Sequence, residues 1–239
     1  MINILIADDN NKLVELIFKS IIRKNNEYRL MDYTYDGENT LKSILKYNPD
    51  VILLDINMPK IDGISIIKKI ISEEKKKIPY IIIITAFKDK INFFRNNKNI
   101  YGIIDKGSGF SNLITEINRY LNNICKELEE ENTEYKTKQE LANFEFNSSN
   151  LGTTYLIDTI KYALEKEKIN LEGDIYLKLA RKYKVKVMNI KWNIEKSIKS
   201  MKRYTDNKTI EKYFNIDNIN NLTIKNFITT VSNKIRNSK

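Results

Sequence analysis

Val51-Ile52-Leu53-Leu54-Asp55-Ile56-Asn57-Met58-Pro59-Lys60-Ile61-Asp62-Gly63 is the stretch on which the reading of this chain turns. Its four apolar residues, Val51 to Leu54, predict a strand buried on both faces of a parallel sheet. The run stops on a lone carboxylate, Asp55, at the carboxyl end of that strand. Open α/β sheets take their ligands at that edge. Pro59 and Gly63 then break the chain before a new helix.

Three further apolar runs end in chemistry of the same kind. Ile2–Ala7 runs into Asp8-Asp9, Tyr80–Ile84 into Thr85-Ala86, and Tyr101–Ile104 into Asp105-Lys106. If these strands lie parallel, an acidic pair, an acceptor Asp, a hydroxyl and an ammonium meet at one edge. Between the strands, Val14, Ile17, Phe18 and Ile21 recur at helical spacing, as do Leu41, Ile44 and Leu45, and Ile64, Ile67 and Ile71. A strand over Arg29–Tyr35, a helix near Lys88–Asn97 and a last helix from Phe110 to Leu128 complete a five-fold strand–helix alternation, which predicts a doubly wound parallel sheet.

The ordered set of an acidic pair, Asp-x-x-Met-Pro-x-x-Asp-Gly, Thr-Ala and Lys resembles the receiver domain of bacterial two-component response regulators. The resemblance implies a flavodoxin-like five-stranded fold and a phosphoacceptor, Asp55, loaded by a sensor histidine kinase or phosphotransfer protein. It also implies Mg²⁺ held directly by Asp9 and Asp55, partly through water by Asp8, and by the backbone carbonyl of Asn57. Lys106 would place positive charge on the phosphoryl oxygens and Thr85 would hydrogen-bond one of them. Two positions depart from the pattern. Gly107 follows the Lys where Pro is usual, and Ile103 stands at the usual switch aromatic, with Tyr101 as a substitute.

Composition narrows the classes. The single cysteine, Cys125, excludes an internal disulfide framework, and the lack of histidine removes the commonest metal ligand, general base and phosphohistidine relay. No signal pattern or apolar run of membrane-spanning length is present, which predicts a soluble cytoplasmic protein that does not engage membranes. The net charge of +10 is uneven: residues 151–239 hold 19 Lys/Arg against 9 Asp/Glu, whereas residues 126–150 hold 3 against 7. The division expected is a receiver over 1–128, an acidic and polar linker over 129–150, and a helical effector module over 151–239. A basic module beside a phosphosignalling domain points to a nucleic-acid partner.

In 151–239 strand signals give way to helical periods: Leu156, Ile160, Ala163 and Leu164; Ile175, Leu179, Ala180 and Tyr183; Ile190, Ile194, Ile198 and Met201; Ile210, Tyr213 and Phe214; and Ile224, Phe227, Ile228, Val231 and Ile235, with Thr223 as N-cap. The second and third, joined at Lys184–Lys186, predict an all-α helix-turn-helix domain. Leu151-Gly152, Tyr155-Leu156, Ile175-Tyr176, Ala180-Arg181-Lys182-Tyr183, Tyr213-Phe214, Asn226-Phe227-Ile228 and Lys234-Ile235-Arg236 also resemble the C-terminal effector domain of the sporulation-initiation master regulator.

That family places base- and phosphate-contacting Arg and Glu early in its recognition helix, where this chain has Asn189, Lys191, Trp192 and Glu195. At about 100° per residue, Asn189, Trp192, Lys196, Lys199 and Arg203 share the face opposite Ile190, Ile194, Ile198 and Met201. These five are the expected contacts to double-stranded DNA. The expected function is a non-enzymatic, phosphorylation-controlled transcription regulator, a homodimer when phosphorylated and related to sporulation. The alternative is a signalling module whose helical domain binds a protein partner, with Trp192 as anchor.

Overall fold

In the computed structural model each apolar run of the first half becomes a strand: β1 (Ile2–Ala7), β2 (Tyr28–Thr34), β3 (Val51–Leu54), β4 (Tyr80–Thr85) and β5 (Ile100–Asp105). Residues 1–72, 78–87, 99–147 and 149–238 are described, so the expected helix near Lys88–Asn97 lies outside the described residues. The strands form one parallel sheet in the order β2-β1-β3-β4-β5. That is a doubly wound, flavodoxin-like order, with its crossover reversal between β1 and β3.

Strand residues alternate between two buried faces. Leu5, Ala7, Ile52, Leu54, Ile81 and Ile83 join Ile44 of α2 (Gly37–Tyr47) and Ile66, Ile67 and Ile70 of α3 (Gly63–Ser72) in one core cluster. Ile4, Ile6, Leu53, Ile82 and Ile84 are equally buried and turn the other way. On that side Gly102, paired with Ile82, lies so close to the Tyr120 ring that a Cβ would approach it to 2.6 Å. Tyr120 belongs to α4 (Phe110–Leu141), which turns Leu113, Ile117, Leu121 and Ile124 inward. Helix α1 (Asn11–Ser20) buries Val14 and Ile17 and is capped by Asn10, which accepts from Leu13 N at 3.2 Å. With both faces covered the strands carry continuous apolar runs.

The chain divides at Glu127/Leu128, inside the span of α4, into two units. The linker expected over 129–150 falls within the second of these units. The helix continues to Leu141, and the chain beyond it folds into the second unit: Leu141 and Phe144 are buried in that unit's core. Phe144 stacks on Phe214 with centroids 5.5 Å apart and meets Tyr213 edge-on at 4.8 Å. Lys161 donates to Glu134 at 2.9 Å, and Glu145 N to Thr205 Oγ1 at 2.8 Å. The helix was hidden from periodicity because its inward seam is polar. Thr137 is fully buried and satisfies its hydroxyl on Thr133 O at 2.7 Å.

The rest of the second unit is helical among the described residues: α5 (Leu151–Leu164), a π turn Leu171–Ile175, α6 (Tyr176–Tyr183), α7 (Val187–Tyr204), α8 (Asn207–Phe214) and α9 (Ile224–Asn237). Helices α5 and α7 cross closely. A Cβ on Gly152 would come within 2.1 Å of Asn193 O, and Thr153 Oγ1 pairs with Ser197 Oγ at 2.9 Å. Lys184, left-handed at φ 54°, ends α6, so only Lys184–Lys186 separate it from α7. Thr223 caps α9 by accepting from Asn226 N at 3.1 Å, as its position in the sequence predicts.

Candidate functional site

Register alone brings the strand-end residues to one edge. Ala7 pairs with Leu54, and Leu54 with Ile83, so the chain after each of β1, β3 and β4 emerges side by side. Asp8 follows β1, Asp55 follows β3, and Thr85 ends β4 opposite Asp105 of β5. Asp8 and Asp55 are buried; Asp9 is exposed. Carboxylate oxygens of Asp8, Asp9 and Asp55 lie within 4.8 Å of one another.

Lys106 joins them from the loop after β5, its Nζ 2.6 Å from Asp55 Oδ2 and 2.7 Å from Asp8 Oδ2. Burial lowers the ammonium's proton affinity, but the hydrogen bond to Asp55 and the ion pair with Asp8 outweigh it, and the Lys106 pKa is raised. For Asp8 burial dominates: it pushes the carboxyl above its ordinary range, with Asp55 adding repulsion, against the lowering effect of Lys106 and the Asn10 amide. Three carboxylates against one ammonium leave a surplus of negative charge, and the donors are all hard oxygens. That set fits a small divalent cation such as Mg²⁺.

The loop after β3 is shaped around Asp55. Asn57 N donates to Asp55 Oδ1 at 3.2 Å, while the Asn57 side chain is exposed. A Cβ on Gly63 would fall 2.3 Å from Asp55 O, so this approach of α3 to the site loop requires glycine. Lys60 turns the loop in a left-handed conformation at φ 69° and pairs with Asp36 at 3.0 Å. Thr85 is fully buried and its Oγ1 accepts from Phe87 N at 3.1 Å; Phe87 itself is exposed. Gly107 N donates to Asp105 Oδ1 at 2.7 Å. Ile103 is half-buried on β5, and Tyr101 Oη donates to Glu127 at 2.7 Å while its ring meets Tyr80 edge-on.

In the second unit Asn189, Trp192, Lys196, Lys199 and Arg203 are all exposed on α7, and Ile190, Ile194, Ile198 and Met201 are all buried. Trp192 is 57% exposed and Lys196 Nζ sits 5.1 Å from its ring centroid. One polar group escaped the sequence reading. Asp158 is buried within α5, takes the Tyr183 hydroxyl at 2.7 Å and pairs with Lys182. A lone acid among the apolar residues of α5 was the available signal; its two partners on α6 could not be matched by spacing.

Comparison with known proteins fits this geometry. The response regulator receiver domain family matches residues 4–118. The chain is 39% identical over 74 residues to protein-glutamate methylesterase/protein-glutamine glutaminase 3 of Syntrophomonas wolfei, covering 31% of this chain and 21% of that one. It is 41% identical over 70 residues to the transcriptional regulatory protein DegU of Brevibacillus brevis, covering 29% of each. The chain thus spans less than a third of the length of these curated relatives. Among solved structures, a LuxR-family DNA-binding response regulator from Staphylococcus aureus is similar at 26% identity and TM-score 0.45, over 52% of this chain and 98% of that one. The receiver domain of AraT from Geobacillus stearothermophilus is similar at 24% identity and TM-score 0.46, over 55% and 98%. No helix among the described residues is long and apolar enough to cross a membrane. Residues 4–118 of this chain are a response regulator receiver domain.

Proposed function

We propose that the chain is a transcription regulator in which phosphorylation of Asp55 controls DNA binding by the second unit. The observation that carries the first half is the Asp8–Asp9–Asp55 cluster with Lys106 on two of its carboxylates. Mg²⁺, held by Asp8, Asp9, Asp55 and the carbonyl of Asn57, supplies charge neutralisation for an incoming phosphoryl group. Asp55 is the nucleophile: its carboxylate oxygen bonds the phosphorus of a kinase or phosphotransfer donor, whose leaving group departs in line. Lys106 moves from carboxylate to phosphoryl oxygen, and the Thr85 hydroxyl turns from the Phe87 amide to a phosphoryl oxygen.

The second half rests on α7, whose exposed face carries Asn189, Trp192, Lys196, Lys199 and Arg203 in a unit with 19 Lys/Arg against 9 Asp/Glu over 151–239. With α6 and the three-residue turn it forms a helix-turn-helix whose second helix enters the major groove. Asn189 and Trp192 read base edges, while Lys196, Lys199 and Arg203 hold phosphates. DegU, whose name is that of a transcription regulator, supports this reading. On this reading the phosphorylated form is a cytoplasmic homodimer, and the effector-domain resemblance supports sporulation-related genes as its targets. A second reading, a protein partner docked on Met188 and Trp192, is favoured by their 70% and 57% exposure. Selection of random duplexes by the purified protein, phosphorylated and not, decides between them. One enriched motif supports DNA readout; no enrichment in either state refutes it.

A further inference from the structure

A cavity of about 560 Å³ opens in the second unit between the Leu171–Ile175 turn, the start of α7 and the N-terminus of α9. Its walls include Glu172, Tyr176, Lys191, Thr223 and Lys225. The first turn of α9 holds no acid, and the helix's first internal bond is Phe227 N to Thr223 O at 2.9 Å. Thr223 Oγ1 is occupied by the Asn226 amide. The amides of Ile224 and Lys225 precede both bonds, so the positive end of the helix faces outward there. Lys225 adds a full charge. Lys191 adds another, held meanwhile by Glu172 at 2.6 Å.

Tyr176 points to a ligand independently. The residue is 2% exposed and is one of those lining the cavity, and its hydroxyl makes no hydrogen bond among the described residues. Burial, then the charges of Glu172 and Glu195, push its pKa up to about 12, so at neutral pH it can only donate or accept as a neutral phenol. A phenol that faces a cavity with no protein acceptor in reach is free to donate to a group that enters it.

We propose that this cavity seats one phosphate group, which Lys225 and Lys191 neutralise while the Tyr176 hydroxyl and the α9 amides donate to its oxygens. Resting on the DNA-binding reading above, the phosphate is one of the duplex backbone flanking the groove that α7 reads. Seating it draws Lys191 away from Glu172, so Glu172 competes with the incoming anion. The seat positions the duplex and reads no base.

Three variants of the full chain carry opposite signs. Lys225→Ala weakens binding to all duplexes alike and lowers the slope of log affinity against log salt by about one, because one fewer counterion is released. Tyr176→Phe weakens binding severalfold and leaves the slope intact, since a neutral donor displaces no counterion. Glu172→Gln tightens binding by freeing Lys191. The measurement is fluorescence anisotropy of labelled duplexes over a salt series, beside titration of the parent with inorganic phosphate followed at the amides of residues 223–225 by NMR. A parent that binds duplex while all three variants match its affinity and slope overturns the seat. A parent that binds no duplex refutes the DNA reading separately, and inorganic phosphate then decides. Amide shifts that vanish in Tyr176→Phe uphold a seat for a free phosphate, and unshifted amides overturn it.

Discussion

At the scale of single residues the acidic edge sets the carboxylates of Asp8, Asp9 and Asp55 against the single ammonium of Lys106. Asp55→Ala is expected to abolish labelling by a small phosphodonor with Mg²⁺, and undiminished labelling would show that another residue accepts the phosphate. Asp8 gives a second expectation. Its folded-state pKa is raised above the ordinary 3.8, so the fold holds that proton more tightly than the unfolded chain, and ionisation of Asp8 as pH rises destabilises it. Asp8→Asn should therefore raise the melting temperature in metal-free buffer at neutral pH. It should also shrink the stabilisation that Mg²⁺ gives the parent, about 2.7 kcal/mol at a hundredfold excess over Kd. A parent melting temperature indifferent to Mg²⁺ would remove the metal from the scheme. On the proposed function, Phe87, exposed beside Thr85, would screen a phosphoryl group on Asp55 from in-line water, and Phe87→Glu should shorten the lifetime of the label, read from its decay after the phosphodonor is removed. The convergence of Asp8, Asp9, Asp55 and Lys106 on one edge was legible in the sequence because each follows the largely apolar run of a strand, fully buried only in β3. The Lys106 bond to Asp8 as well as Asp55 was not, since spacing says nothing of which carboxylate an ammonium reaches.

At the scale of elements, α7 shows what periodicity can and cannot deliver. The division between Ile190, Ile194, Ile198 and Met201 inside and Asn189, Trp192, Lys196, Lys199 and Arg203 outside follows from 3.6 residues per turn, and the burial agrees. On the proposed function, Asn189→Ala costs about 1–3 kcal/mol on the preferred duplex alone. Lys196→Ala weakens every duplex and flattens the salt slope by about one. A titration series on cognate and scrambled duplexes separates the two, and equal losses on both duplexes for Asn189→Ala would deny it base readout. The close crossing of α5 on α7 was not legible, because Gly152 reads as a poor helix former until Asn193 O is seen against it. Gly152→Ala is expected to destabilise the second unit by about 1–3 kcal/mol through overpacking, measured by urea unfolding.

At the scale of the whole molecule, the second unit begins at Leu128 rather than Leu151. A fragment starting at Leu151 lacks Leu141 and Phe144 and uncovers Tyr213, Phe214 and Phe227. It should be less stable than one starting at Leu128 by about 3–5 kcal/mol, the scale of losing one large core side chain. Equal stabilities would restore the linker reading. Glu134 adds an acid signature. Its pairs with Lys138 and Lys161 hold its pKa near about 2, so its contribution is complete above the ordinary 4.5 and fades as pH falls towards 2. Lys161→Ala should flatten that part of the stability profile only slightly, because Glu134 is 40% exposed and solvent screens the pair. The alternating architecture of 1–127 was legible because its helices and strands differ in apolar period. The folding of 128–147 into the second unit was not, because a seam of threonine reads as polar until its hydroxyl is seen bonded back to the helix. The exposed indole of α7 has an optical consequence. Trp192 is the one tryptophan among 239 residues, so red-edge excited emission of the unlabelled protein comes from that single ring. Whatever settles on that face, duplex or protein, must announce itself in the colour and yield of the light.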